Sequence, residues 1–266
     1  MGTAILDGLI ASGMGAASIA VSTKSAASAA KLTTGHGVKA FSVEEFGAES
    51  ANGNAVENAD VVIVAVKPGY VIETLAQLTS PKLNADALVI SVAAGITNSA
   101  MESALPLGNA VIRAMPNTPA IVGRAMTGLA LGSRATDAHK QLAEKLFATV
   151  GKTLVVAENQ IDALSTISGS GPAYVFLLVE ELIKAAQHHG FSAEDATLLV
   201  NETFLGATEL LVDSGKDPAD LRRQVTSPNG TTMQAIARMQ KANLDQMFIE
   251  ATDAALARAR EIAAGN

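Results

Sequence analysis

Short runs of β-branched and aliphatic residues recur along the first part of the chain, and several are apolar throughout rather than alternating. They are IAVS (Ile19 to Ser22), VVIVAV (Val61 to Val66), LVISVA (Leu88 to Ala93), VIRAM (Val111 to Met115), GLALG (Gly128 to Gly132) and TLVVA (Thr153 to Ala157). A strand without a polar face must be covered on both sides, and the intervening lengths suit crossover helices. The pattern therefore predicts an α/β domain with a doubly wound, mostly parallel sheet over residues 1–157. After about Asn159 the runs stop and apolar positions three and four apart take over, so residues 158–266 are expected to form an all-helical domain.

The 266 residues are 48% hydrophobic but only 3% aromatic, with no Trp, so the interior must be built from Ala, Val, Leu and Ile. Helices of that composition would complete their burial against a second subunit, which predicts a homo-oligomer. A net charge of -7 argues against nucleic acid or an anionic membrane surface as partner. The absence of Cys removes disulfides, thiolate nucleophiles and thiolate metal ligands, and fits a reducing compartment. The apolar first residues lack a basic leader and contain Asp7, and no stretch reaches the ~18 uninterrupted apolar residues of a spanning helix. A cytoplasmic protein that acts on a small molecule is expected.

Doubly wound sheets bind ligands at the carboxyl ends of their strands. The first such junction is Ser22, Thr23, Lys24: it lacks the acid that would hold a bare adenosine ribose, and its hydroxyls and cation suit a 2′-phosphate, favouring NADP over NAD. An ordinary solvated turn would read the same way. The second is Ala65, Val66, Lys67, Pro68 and the third Ala93, Ala94, Gly95, where small residues and a fixed backbone would let a flat ring approach the main chain. Lys67 reads either as a base or as a positioned, solvated cation. The fourth, Met115 to Pro119 (MPNTP), has two prolines that block helix or strand continuation, predicting a rigid loop.

In the helical half, SGSGPAY (Ser168 to Tyr174) permits close approach of helix or ligand, or is a packing kink. SPNGTT (Ser227 to Thr232) shapes a tight turn that opens a helix with two hydroxyl residues, an arrangement suited to a small carboxylate; simple N-capping by Thr231 is the alternative. The four histidines, His36, His139, His188 and His189, show no metal-ligand spacing, so no metal centre is expected.

The order and separation of AVKP, AAG, MPNTP, SGSGPAY and SPNGTT resemble those of the pyrroline-5-carboxylate reductases, over essentially the whole chain. The resemblance implies a Rossmann-type domain that binds NADPH, with NADH the other candidate, and a helical domain that interlocks with its twin in a homodimer or larger homo-oligomer. It implies reduction of 1-pyrroline-5-carboxylate to L-proline at a site formed where the domains meet across subunits. Carried over, Gly2, Ser22, Lys24, Asn52, Ala65, Val66, Lys67, Pro68, Ala93, Ala94, Gly95 and Gln224 would bind cofactor. Glu158, Gly230, Thr231 and Thr232 would bind substrate, with Thr232 bonded to the ring nitrogen.

Two departures stand out. Asn229 replaces the usual second-to-last Gly of the substrate turn, and Asn tolerates a left-handed backbone. Met1 and Gly2 are all that corresponds to the end of a Gly-Asn-Met-Gly turn; the family's first strand has no counterpart, which leaves its neighbours with unpaired edges and implies a start upstream. Two rival readings remain at this point: a β-hydroxyacid-dehydrogenase-like reductase using Lys67 or a lysine near Lys184, and a noncatalytic remnant that folds as a helical dimer.

Overall fold

A computed structural model describes residues 1–78, 82–106 and 108–263. The strands are β1 (Ala20–Thr23), β2 (Lys39–Ser42), β3 (Val61–Val64), β4 (Leu88–Ser91), β5 (Val111–Met115), β6 (Ala125–Leu131) and β7 (Gly151–Val155). The helices of the α/β part are α1 (Gly2–Ala11), α2 (Ala26–His36), α3 (Val43–Phe46), α4 (Ala48–Val56), α5 (Val71–Ala76), α6 (Asn98–Ala104), α7 (Asp137–Phe147) and α8 (Ile161–Leu164). The remainder holds α9 (Gly171–His188), α10 (Ala193–Ser214), α11 (Pro218–Gln224), α12 (Thr231–Gln240) and α13 (Leu244–Ala263).

The predicted runs all carry strands. Hydrogen bonding orders β3-β4-β5-β6-β7 in one sheet and β1-β2 in a second, and every pairing is parallel except β5 with β6. Neither β1 nor β3 has a second neighbour among the described residues. β2 escapes the sequence pattern because its four residues, KAFS, place polar residues at both ends.

β4 is buried at every position, Ser91 included, as its run of Leu, Val and Ile requires. Successive residues point to opposite faces and build two cores. On one face Leu88, Ile90, Ile112 and Leu129 meet Ile5 and Leu9 of α1 and Phe147 of α7; on the other Val62, Val64, Val89 and Val111 meet Val71, Leu75 and Met101. Helix starts follow local chemistry: Ser25, Thr97 and Thr136 accept from backbone N–H groups in the first turns of α2, α6 and α7. His139 completes a capping box on α7, its Nδ1 accepting from Thr136 N at 3.2 Å.

The chain divides into two compact units, one comprising Met1–Ser170 with the residues from Leu256 on, the other Gly171–Ala255. Within the second unit α9 and α10 pack side by side, yet among its described residues only Ala196 and Val200 are buried. Phe176, Leu177, Leu178, Leu198 and Leu205 lie exposed. Among the described residues no helix is long and apolar enough to cross a membrane.

Candidate cofactor and substrate sites

In the first unit the parallel strands β3, β4 and β5 deliver their carboxyl ends to one edge. Val92 N donates to Val64 O (3.0 Å), which extends the β3–β4 ladder and sets Ala65–Pro68 beside Ala93–Gly95. Pro68 starts a single 3₁₀ turn behind an extended, exposed Lys67. Ala93 is buried and its N–H donates to Ser91 Oγ, while Gly95 holds φ +79°, a conformation that disfavours side chains.

Helix α1 begins at Gly2, where a Cβ would come within 3.1 Å of the Ala65 Cβ. Its first turn has no side-chain cap and no acidic residue, so its N–H groups remain available to an anion. These donors, beside small residues at the ends of β3 and β4, fit a dinucleotide.

Three predicted residues gather at the end of β1. Ser22 Oγ donates to Asn52 Oδ1 at 2.7 Å, and Asn52 Nδ2 donates to Gln77 Oε1 at 2.9 Å. Lys24 next to them is exposed, with no ion-pair partner among the described residues. An acid does stand at this junction, contrary to what β1 alone suggests: Glu44, after β2, accepts from Ala26 N at 3.0 Å. Sequence reasoning missed it because neither β2 nor its parallel pairing with β1 was legible.

Glu158 is already engaged. Its Oε1 accepts from Asn98 N at 2.6 Å, bracing the first turn of α6 from sixty residues away. Asn98 Nδ2 in turn donates to Ala130 O on β6 (3.1 Å).

The MPNTP and SGSGPAY motifs meet through Asn117, which is buried. Its Nδ2 donates to Ser168 O and its Oδ1 accepts from Met126 N, both at 2.9 Å. The expected rigid loop includes a short 3₁₀ helix, Thr118–Val122, that the prolines permit because Pro119 stands near its start, where no N–H is needed. The segment leading into SGSGPAY forms a π turn, Ser165–Gly169, which neither sequence reading specified. A Cβ at Gly169 would lie 2.9 Å from Ser165 Oγ and 3.3 Å from Met115 Cε. Nearby, the buried Arg113 of β5 pairs with Asp162 of α8 at 2.6 Å. These ties join the end of β5 to the segment Asp162–Gly169, and Arg113, Asn117 and Asp162 were not among the predicted site residues.

In the second unit, Gly230 N donates to Ser227 O at 3.1 Å and Asn229 adopts φ +59°, so Asn sustains the turn as expected. A Cβ on Gly230 would meet the Ser227 side chain. Gly230, rather than Thr231, occupies the N-cap of α12, and no side chain caps the helix or adds negative charge to its first turn. Thr231 and Thr232 therefore open α12 with N–H groups and hydroxyls together. Gln224 ends α11 and lines a shallow depression with Lys216, Asp220 and Arg223.

Lys184 is an exposed residue gripped by Glu180 and Glu181, each at 2.8 Å. The hydrogen bond to Glu180, then that to Glu181, raises its pKa above the usual lysine range. His36 sits 3.4 Å from Asp7, and the rings of His188 and His189 stack edge-on at 5.4 Å. Among the described residues no group of His, Asp and Glu could hold a metal ion.

A mostly parallel sheet with small-residue loops at its carboxyl edge, followed by a helical unit, fits a nicotinamide-nucleotide-dependent oxidoreductase. Residues 158–262 match the family model for pyrroline-5-carboxylate reductase dimerisation, and residues 1–95 match that for coenzyme F420-dependent NADP oxidoreductase. A pyrroline-5-carboxylate reductase from Pseudomonas aeruginosa is 39% identical over 264 residues, spanning 99% of this chain and 93% of its own. The chain belongs to the pyrroline-5-carboxylate reductase family.

The solved structure of a pyrroline-5-carboxylate reductase from Coxiella burnetii is 37% identical, with a TM-score of 0.89 over 98% of this chain and 94% of its own. That of a Plasmodium falciparum pyrroline carboxylate reductase with NADP bound is 25% identical, with a TM-score of 0.83 over 99% and 94%.

Proposed function

We propose that this protein reduces 1-pyrroline-5-carboxylate to L-proline with NADPH, and that it works in the cytoplasm as a homodimer or larger homo-oligomer. Residues 1–157 bind the dinucleotide and 158–266 bind substrate and the partner copy. The observation that carries this reading is the uncapped start of α12, where backbone N–H groups and the Thr231 and Thr232 hydroxyls stand together without a competing acid.

NADPH, when bound, supplies the hydride for the imine carbon. Gly2 and the first turn of α1 hold the pyrophosphate, Ala65–Pro68 and Ala93–Gly95 flank the ribose and nicotinamide, and Ser22, Lys24 and Asn52 meet the adenosine end, with Gln224 a further cofactor contact. Gly230 and Thr231 hold the substrate carboxylate. Thr232 donates a hydrogen bond to the ring nitrogen, which takes its proton from solvent water as the hydride converts the C=N bond to C–N. Glu158 contributes from the substrate side while bracing α6. No strong side-chain acid is needed, because the cofactor carries the chemistry and the protein orients two rings.

The test is proline formation from 1-pyrroline-5-carboxylate by the purified chain, supplied in turn with NADPH and NADH. Proline accumulating with oxidation of an equal amount of NADPH is the expected result. No proline with either cofactor would overturn the reading.

A further inference from the structure

At the end of β1 the backbone from Lys24 to Ala26 is held by one residue from outside. Glu44 N donates to Lys24 O at 3.1 Å, and the Glu44 carboxylate accepts from Ala26 N at 3.0 Å through Oε2. The neighbouring Glu45 is turned away, its Oε2 accepting from Ser42 Oγ at 2.6 Å, so Glu44 is the acid committed to this loop. The other hydroxyls here are engaged within the protein: Thr23 Oγ1 donates to Ser25 O (3.1 Å), and Ser22 donates to Asn52. Lys24 is the cation on the same loop, and Glu44 is not ion-paired with it.

We infer that Glu44 is a specificity-determining residue which weakens the preference for NADPH over NADH. This rests on the proposed placement of the adenosine end beside Ser22, Lys24 and Asn52. There, Lys24 attracts a 2′-phosphate while Glu44 repels it and already occupies the Ala26 N–H that a phosphate oxygen would otherwise take. A bare ribose carries no charge to repel, and its hydroxyls can donate to the carboxylate. Repulsion between a carboxylate and a nearby phosphate dianion in a solvent-like dielectric would lower the affinity by roughly threefold to tenfold.

The test is calorimetric titration of the intact protein with NADP⁺ and with NAD⁺, comparing the wild type with Glu44→Gln and Lys24→Ala. Glutamine keeps the shape and an acceptor for Ala26 N while removing the charge. The inference expects Glu44→Gln to raise the ratio of Kd for NAD⁺ to Kd for NADP⁺ by about threefold or more, with Lys24→Ala lowering it. If Lys24→Ala lowers the ratio and Glu44→Gln leaves it unchanged, the role of Glu44 is overturned while the placement of the adenosine stands. If neither variant moves the ratio, the placement falls and the inference with it.

Discussion

On the proposed reading, Thr232 supplies little chemistry beyond one positioned hydrogen bond. It sits in the first turn of α12, next to the Gly230 N-cap, and offers a hydroxyl and a backbone N–H where no acid competes. Thr232→Ala should lower turnover by roughly tenfold to a hundredfold, the usual loss for one positioned hydrogen bond, with a smaller change in KM for NADPH. Steady-state kinetics check this, and an unchanged turnover would remove Thr232 from the reaction. Other residues were legible because their neighbours in sequence carry the signal: the turn Ser227–Thr232 needs only its own Pro, Asn and Gly. Glu44 was not, because what gives it meaning is a hydrogen bond to Ala26, on a different element.

Among the elements, the continuous apolar strands were readable since two-sided burial demands such a composition, and β4 is buried at all four positions. Two elements were not. β2 is too short and too polar at its ends to stand out, and the π turn Ser165–Gly169 depends on what packs against it. Asn117 is the main polar tie between that turn and the loop after β5, through Ser168 O and Met126 N. Asn117→Ala removes both bonds of a buried side chain and leaves two part-buried partners unpaired, so it should destabilise the fold by about 1–3 kcal/mol. A lower urea midpoint with an unchanged slope is the expected result; a midpoint equal to wild type would show that the tie carries no stability.

For the molecule as a whole, the contrast between the two units decides what it needs. The first unit encloses two cores around its five-stranded sheet, whereas the described residues of the second bury only Ala196 and Val200 and leave Phe176 67% and Leu198 62% exposed. Exposed apolar area on that scale calls for a partner, and the match to a dimerisation family supports a second copy of the chain. Size-exclusion chromatography with light scattering should find a dimer or larger species, and Phe176→Glu should shift it towards monomer. A monomeric wild type at micromolar concentration would contradict the prediction. Chain order alone established the α/β-then-helical plan and the small-residue junctions, since hydrophobic period and turn chemistry are local properties. Folding in three dimensions was required to bring Glu44 to Ala26, Asn117 to Ser168 and Glu158 to α6, because each contact joins residues far apart in sequence through strand pairing and packing that no local pattern encodes.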